Sequence, residues 1–164
     1  MAYQLIDYPQ EKNAFYQVLC EQIAIYTADA PTSLAALANA AAVLDAALDK
    51  INWVGFYLVS GEQLVLGPFQ GQPAVMTIPF GQGVCGAAWQ NRRTEVVQDV
   101  HCFIGHIACD CSSKSEIVVP VLDSEGHVLG VIDIDSPETG RFDDADAEGL
   151  QQVAELLAPF MSGG

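Results

Sequence analysis

Apolar and polar positions change period along this chain, and the changes mark out its elements. From Pro9 to Ala28, Phe15, Val18, Leu19, Ile23 and Ile25 recur at imperfect helical spacing. This predicts a first helix, with Cys20 packed inside it as a small hydrophobe. Ala30-Pro31-Thr32-Ser33 supplies a break and an N-cap, and an alanine-rich second helix follows from Leu34 to Lys50. From Ile51 the period shortens to that of strands. INWVGFYLV, LVLGPF, AVMTIPF, TEVVQDV, SEIVVPVL and HVLGVIDI are rich in β-branched and aromatic residues and separated by turn residues. Val84 to Asn91 reads as a short helix inserted among them, entered through Gly81-Gln82-Gly83. After SPETGRF, Asp143 or Asp144 caps a last helix that runs to about Met161.

Two helices, about six strands joined mostly by tight turns, and a closing helix predict an α+β domain. Its sheet is antiparallel and the terminal helices cover one face. The expected organisation is one domain over residues 1–164. N-terminal helices span about 9–50, the sheet core about 51–135, and the C-terminal helix about 143–161.

Composition narrows the class. Hydrophobic residues make up 51% and charged residues 16%, which fits a folded core rather than disorder. A net charge of −15 with only six Lys and Arg argues against nucleic-acid and anionic-membrane partners, since both are held by cationic side chains. No apolar run approaches the ~20 residues of a membrane span. The start, MAYQLIDYPQEK, lacks the basic and apolar regions of a signal peptide. The expected location is the cytoplasm, where thiols stay reduced. Five cysteines, an odd number without a disulfide pattern, then read as buried fillers plus reactive thiols.

The candidate chemistry concentrates in HCFIGHIACDCSSKSE, His101 to Glu116, which holds three cysteines and two histidines. Cys109 is the candidate nucleophile, with His101, His106 and Lys114 as nearby groups that would favour a thiolate. The alternative is a loop cysteine without a role. Cys85, in Gly83-Val84-Cys85-Gly86, stands in the first turn of the predicted short helix, where amide dipoles would lower a thiol pKa. It could equally be a packing residue beneath a glycine turn. His101, Cys102, His106, Cys109 and Cys111 are all metal-ligand types, but their spacing is not that of a structural zinc site, and no metal is expected.

In Gly130-Val131-Ile132-Asp133-Ile134-Asp135, strand periodicity puts both aspartates on one face. That face is either solvated or, together with Glu116, a pocket of carboxylates. In such a pocket, repulsion and burial keep one acid protonated. Trp53 and Tyr57 also share a strand face, as core aromatics or as a wall for a small apolar group.

Several segments in sequence order carry a resemblance. They are Ile51-Asn52-Trp53-Val54-Gly55-Phe56-Tyr57, Leu64 to Gly71, Gly83-Val84-Cys85-Gly86, Gly105 to Asp110, Ser115-Glu116-Ile117-Val118 and Asp133-Ile134-Asp135-Ser136. The chain resembles the free methionine-(R)-sulfoxide reductases, which are built on a GAF domain, from about Phe15 to Leu157. The resemblance implies a GAF fold, a homodimer and reduction of free methionine (R)-sulfoxide. It implies no bound cofactor and recycling by thioredoxin, itself reduced by NADPH and thioredoxin reductase.

It also implies Cys109 as the nucleophile, Glu116, Asp133 and Asp135 as the carboxylates around the sulfoxide, and Trp53 and Tyr57 as the wall near its methyl group. Thiolate attack on sulfur with protonation of the departing oxygen leaves a cysteine sulfenic acid, which a second thiol converts to a disulfide. Many members carry a cysteine at the position of Val75. Here Cys85 is the first choice for the resolving thiol, Cys111 the second, and direct reduction by an external thiol the third. A reading from a different class remains: a GAF module that binds a small ligand for regulation without catalysis. Such modules usually adjoin an output domain, for which this sequence leaves no residues.

Overall fold

The computed structural model describes residues 2–102 and 113–162. Helix α1 spans Lys12–Thr27 and α2 Ser33–Ala47. Strand β1 (Trp53–Ser60), β2 (Gln63–Gln70) and β3 (Thr77–Pro79) follow, then α3 (Gly83–Asn91) and β4 (Glu95–Val97). A 3-10 turn covers Val100–Cys102. Strands β5 (Ser115–Leu122) and β6 (Val128–Ser136) and helix α4 (Asp144–Met161) complete the order. The six strands form one antiparallel sheet in the order β3-β2-β1-β6-β5-β4. The α+β architecture expected from the pattern is the one observed. Among the described residues, no helix is long and apolar enough to cross a membrane.

The helices start where side chains can satisfy open backbone amides. The Glu11 carboxylate accepts from the amides of Asn13 and Ala14, and the Thr32 hydroxyl from that of Ala35. Asp143 caps α4 in a reciprocal arrangement with Asp146. The third strand is shorter than AVMTIPF suggests. Ala74 to Met76 lie outside it, although the Met76 carbonyl still accepts from the Leu66 amide at 2.9 Å. Ile25, counted into the apolar stripe of α1, is 47% exposed. That stripe instead centres on Tyr16, Leu19 and Ile23.

Strand alternation sorts the core into two halves. Val54 and Phe56 of β1, Ile117, Val119 and Val121 of β5, and Ile132 and Ile134 of β6 point to one face. There α1, α2 and α4 cover them. Trp53, Tyr57, Val118 and Val131 point to the other face, against Val84, Cys85 and Ala88 of α3. A bulge on β2 sets its Gly67 and Pro68 opposite the single residue Phe56 of β1. Proline has no amide to donate, so this break in the ladder is where a strand tolerates it.

Candidate active site

The site lies on the α3 face, where β5, β6 and β1 run side by side. Register places Glu116 opposite Asp135, Asp135 opposite Trp53, and Asp133 opposite both Gly55 and Val118. Alternation then turns all these side chains toward α3. Asp133, Asp135 and Glu116 are 1%, 3% and 4% exposed, so the solvated-face alternative for the two aspartates is excluded. Burial pushes the Glu116 carboxyl well above its ordinary value, and the charge of Asp135 adds to the shift.

Trp53 and Tyr57 form the adjoining wall. Their rings lie 6.1 Å apart at an interplanar angle of 23°, and Phe69 stacks on Trp53 at 5.2 Å. The indole needs a backbone without side chains beneath it. A Cβ at Gly55 would come within 2.8 Å of its Cη2, and one at Gly71 within 2.5 Å of its Cδ1. Both polar tips are anchored: Trp53 Nε1 donates to the Gln72 carbonyl at 3.1 Å, and Tyr57 Oη to the Val75 carbonyl at 2.8 Å. These carbonyl partners escaped sequence reading. The signal for them was only that a buried indole N–H and a buried phenol each require an acceptor.

Cys85 stands in the first turn of α3, 4% exposed. Its sulfur and a carboxylate oxygen from each of Glu116 and Asp133 all lie within 4.8 Å of one another. The expectation of a lowered thiol pKa is reversed. Burial raises it well above its ordinary value, and the charges of Asp133 and Glu116 push it further. The N-terminus of α3 does not outweigh burial beside these carboxylates.

Of the thiol-rich stretch, Phe103 to Ser112 lies outside the described residues, and with it His106, Cys109 and Cys111. Its flanks are fixed. The Val100 amide donates to the Lys114 carbonyl at 2.8 Å, and the Lys114 amide to the Ser136 carbonyl at 2.7 Å. Asn52 Nδ2 donates to the hydroxyl of Ser113, which is buried, at 3.3 Å. His101 is exposed, and its amide is bound by Asp99. The structure thus brings together Trp53, Tyr57, Cys85, Glu116, Asp133 and Asp135. A thiol with two carboxylates and no histidine is a poor match for the nitrogen and sulfur sets that hold zinc, and the group reads as an acid–base cluster. The larger surface grooves, such as one of about 510 Å³ lined by Arg92, Leu122 and Gln151, include none of these residues.

Known proteins resemble this chain in sequence and in fold. The family model described as GAF domain matches residues 32–159. Protein YtsP of Bacillus subtilis is 50% identical over 149 residues, covering 90% of this chain and 91% of the relative. Free methionine-R-sulfoxide reductase of Escherichia coli is 47% identical over 146 residues, covering 89% and 88%. The solved structure of free methionine-R-sulfoxide reductase from Neisseria meningitidis, in complex with its substrate, superposes with a TM-score of 0.90. It is 45% identical and covers 98% of this chain and 96% of the other. On matches of this identity and coverage, the chain belongs to the free methionine-R-sulfoxide reductases, a family built on the GAF domain.

Proposed function

We propose that this protein reduces free methionine (R)-sulfoxide to methionine through a cysteine sulfenic acid. The observation that carries this reading is the buried group of Glu116, Asp133 and Asp135 beside the Trp53–Tyr57 wall. A sulfoxide presents one small methyl group and one oxygen that must be protonated as it leaves. The stacked aromatics suit the methyl, and a carboxyl kept protonated near neutral pH suits the oxygen. Glu116 is the proton donor in this reading, with Asp135 opposite it raising its proton affinity. Asp133 contacts both Glu116 and Cys85.

Cys109 is the attacking thiol, a role that rests on the motif Gly105-His106-Ile107-Ala108-Cys109-Asp110. Its thiolate attacks the sulfoxide sulfur, methionine departs and Cys109 is left as the sulfenic acid. Cys85, already within the carboxylate cluster, then forms the disulfide, and a thioredoxin-type dithiol in the cytoplasm resets it by thiol exchange. The chain acts as a single GAF domain, in a homodimer.

An assay coupled to NADPH, thioredoxin reductase and thioredoxin, run on separated epimers of methionine sulfoxide, tests the reading. Turnover of the R epimer and not the S is expected, with Cys109→Ser releasing no methionine even in a single turnover. No methionine from the R epimer with a competent reductant overturns it.

A further inference from the structure

The Trp53 indole is bounded largely by main chain. A Cβ added at Gly55 would crowd its Cη2 and one at Gly71 its Cδ1, so the backbone already lies against both ends of the ring system. Its Nε1 is tied to the Gln72 carbonyl. These boundaries move only if the β1–β2 ladder, or the turn that follows it, comes apart.

Phe69 bounds the indole with a side chain instead. Register sets it opposite Gly55, which stands between Trp53 and Tyr57 along β1, so all three aromatics share one face. Its Cβ occupies the room that a side chain at Gly55 would need. Its ring then stacks on the indole at 5.2 Å and 15°. Trp53 is 0% exposed, whereas Phe69 is only half-buried. A substitution at Phe69 therefore opens space on the solvent side of the indole, in a direction that main chain does not block.

We infer that Phe69 is a positioning residue that fixes the choice of alkyl group. By bracing the indole it fits the Trp53–Tyr57 wall to a methyl and excludes an ethyl. The inference rests on the reading of that wall as the site of the sulfoxide methyl. The two rings lie 6.1 Å apart at 23°, so a tilt of the indole changes the surface that they present together. An aliphatic side chain at 69 has no plane to hold that tilt, and the slot gains room for one more carbon. A fitted apolar site discriminates one methylene by about 10–200-fold, which is the range to be lost. The carboxylates stand on β5 and β6, away from this brace, so the change falls on which substrate fits and not on the proton transfer.

The test compares kcat/KM for methionine (R)-sulfoxide with that for its S-ethyl homologue, ethionine (R)-sulfoxide, on the whole protein. Wild type is expected to prefer the methyl compound by about 100-fold, and Phe69→Leu by only about tenfold. Phe69→Tyr, which keeps the stacked ring, is expected to hold the wild-type preference. The ratio is blind to the folded fraction, since a loss of folded enzyme lowers both rates alike. A Leu variant that loses both activities equally, or that keeps the wild-type ratio, overturns the inference. So does a wild type that does not distinguish the two sulfoxides, or a Tyr variant as permissive as Leu.

Should Phe69→Leu not fold, Phe69→Met replaces it, with a similar volume and no ring plane. Should wild type bind the R sulfoxide but not turn it over, the substrate reading fails, and the same ratio is then read from Kd by calorimetry. A preference for methyl that falls about tenfold in the Leu variant still supports the brace, and an unchanged preference overturns it. Binding of neither sulfoxide overturns both.

Discussion

A single buried carboxylate and a group of three sit on opposite sides of the sheet and are treated in opposite ways. Asp146, 1% exposed at the start of α4, accepts from Lys12 Nζ at 2.6 Å and from Tyr16 Oη at 2.7 Å. The Arg141 guanidinium lies 3.5 Å away. Asp146 also accepts from the Asp143 amide, which completes the α4 cap. Burial and the Asp146 charge raise the Tyr16 phenol above its ordinary value, so it stays a donor. Asp146 is thus a buried acid whose desolvation is offset by cations and donors. Glu116 is equally buried, but its strand partner across the ladder is another acid, Asp135, and its response is to hold a proton. Surrounded by cations, a buried carboxylate is a bolt. Surrounded by its own kind, it keeps its proton.

The sharpest way to break this comparison is to neutralise one carboxylate on each side of the sheet. Glu116→Gln is expected to lower kcat/KM for the R epimer by about 10³-fold, within the range typical of a lost general acid. Its melting temperature should not fall, and near neutral pH it should rise, because the amide takes up no proton on folding. Asp146→Ala is expected to do the reverse. Leaving Tyr16 without its partner and Arg141 without one of its two acids should cost about 3 kcal/mol, read by urea unfolding, while the folded variant keeps its turnover. Loss of activity in the second variant at full stability would abolish the distinction.

A smaller effect sharpens it. Glu116 has a raised proton affinity in the folded chain and the ordinary value of 4.5 when unfolded. Between the two values the native state binds the extra proton, so stability falls as pH rises, by up to about 1.4 kcal/mol per unit. The contribution is whole below 4.5 and is lost as pH climbs through the folded value. Denaturant titrations across pH should show this slope in the wild type and a shallower one in Glu116→Gln.

Much of this site was legible in the sequence because strands repeat simply. Alternation in Gly130-Val131-Ile132-Asp133-Ile134-Asp135 put the two aspartates on one face, and the segment order carried the family. What alternation could not say is which face was buried. That depended on α3 folding back over β5 and β6. The thiol of Cys85 shows the same limit in electrostatic form. Its own helix predicts a lowered pKa, and strands far along the chain decide the opposite. Asp146 was invisible for the same reason: its partner Tyr16 is 130 residues away, and a pattern of local periodicity contains no such pair.

The bonds from Tyr57 to the Val75 carbonyl and from Trp53 to the Gln72 carbonyl have an evolutionary consequence. They hold the aromatic wall through the main chain, which is the same whatever residue stands at 75. The side chain there packs against the same apolar cluster, and changing it leaves these bonds in place. A small side chain such as cysteine or valine can stand at that position without unfastening the aromatic wall. The hydrogen bonds that fix the wall are what make the neighbouring position evolvable.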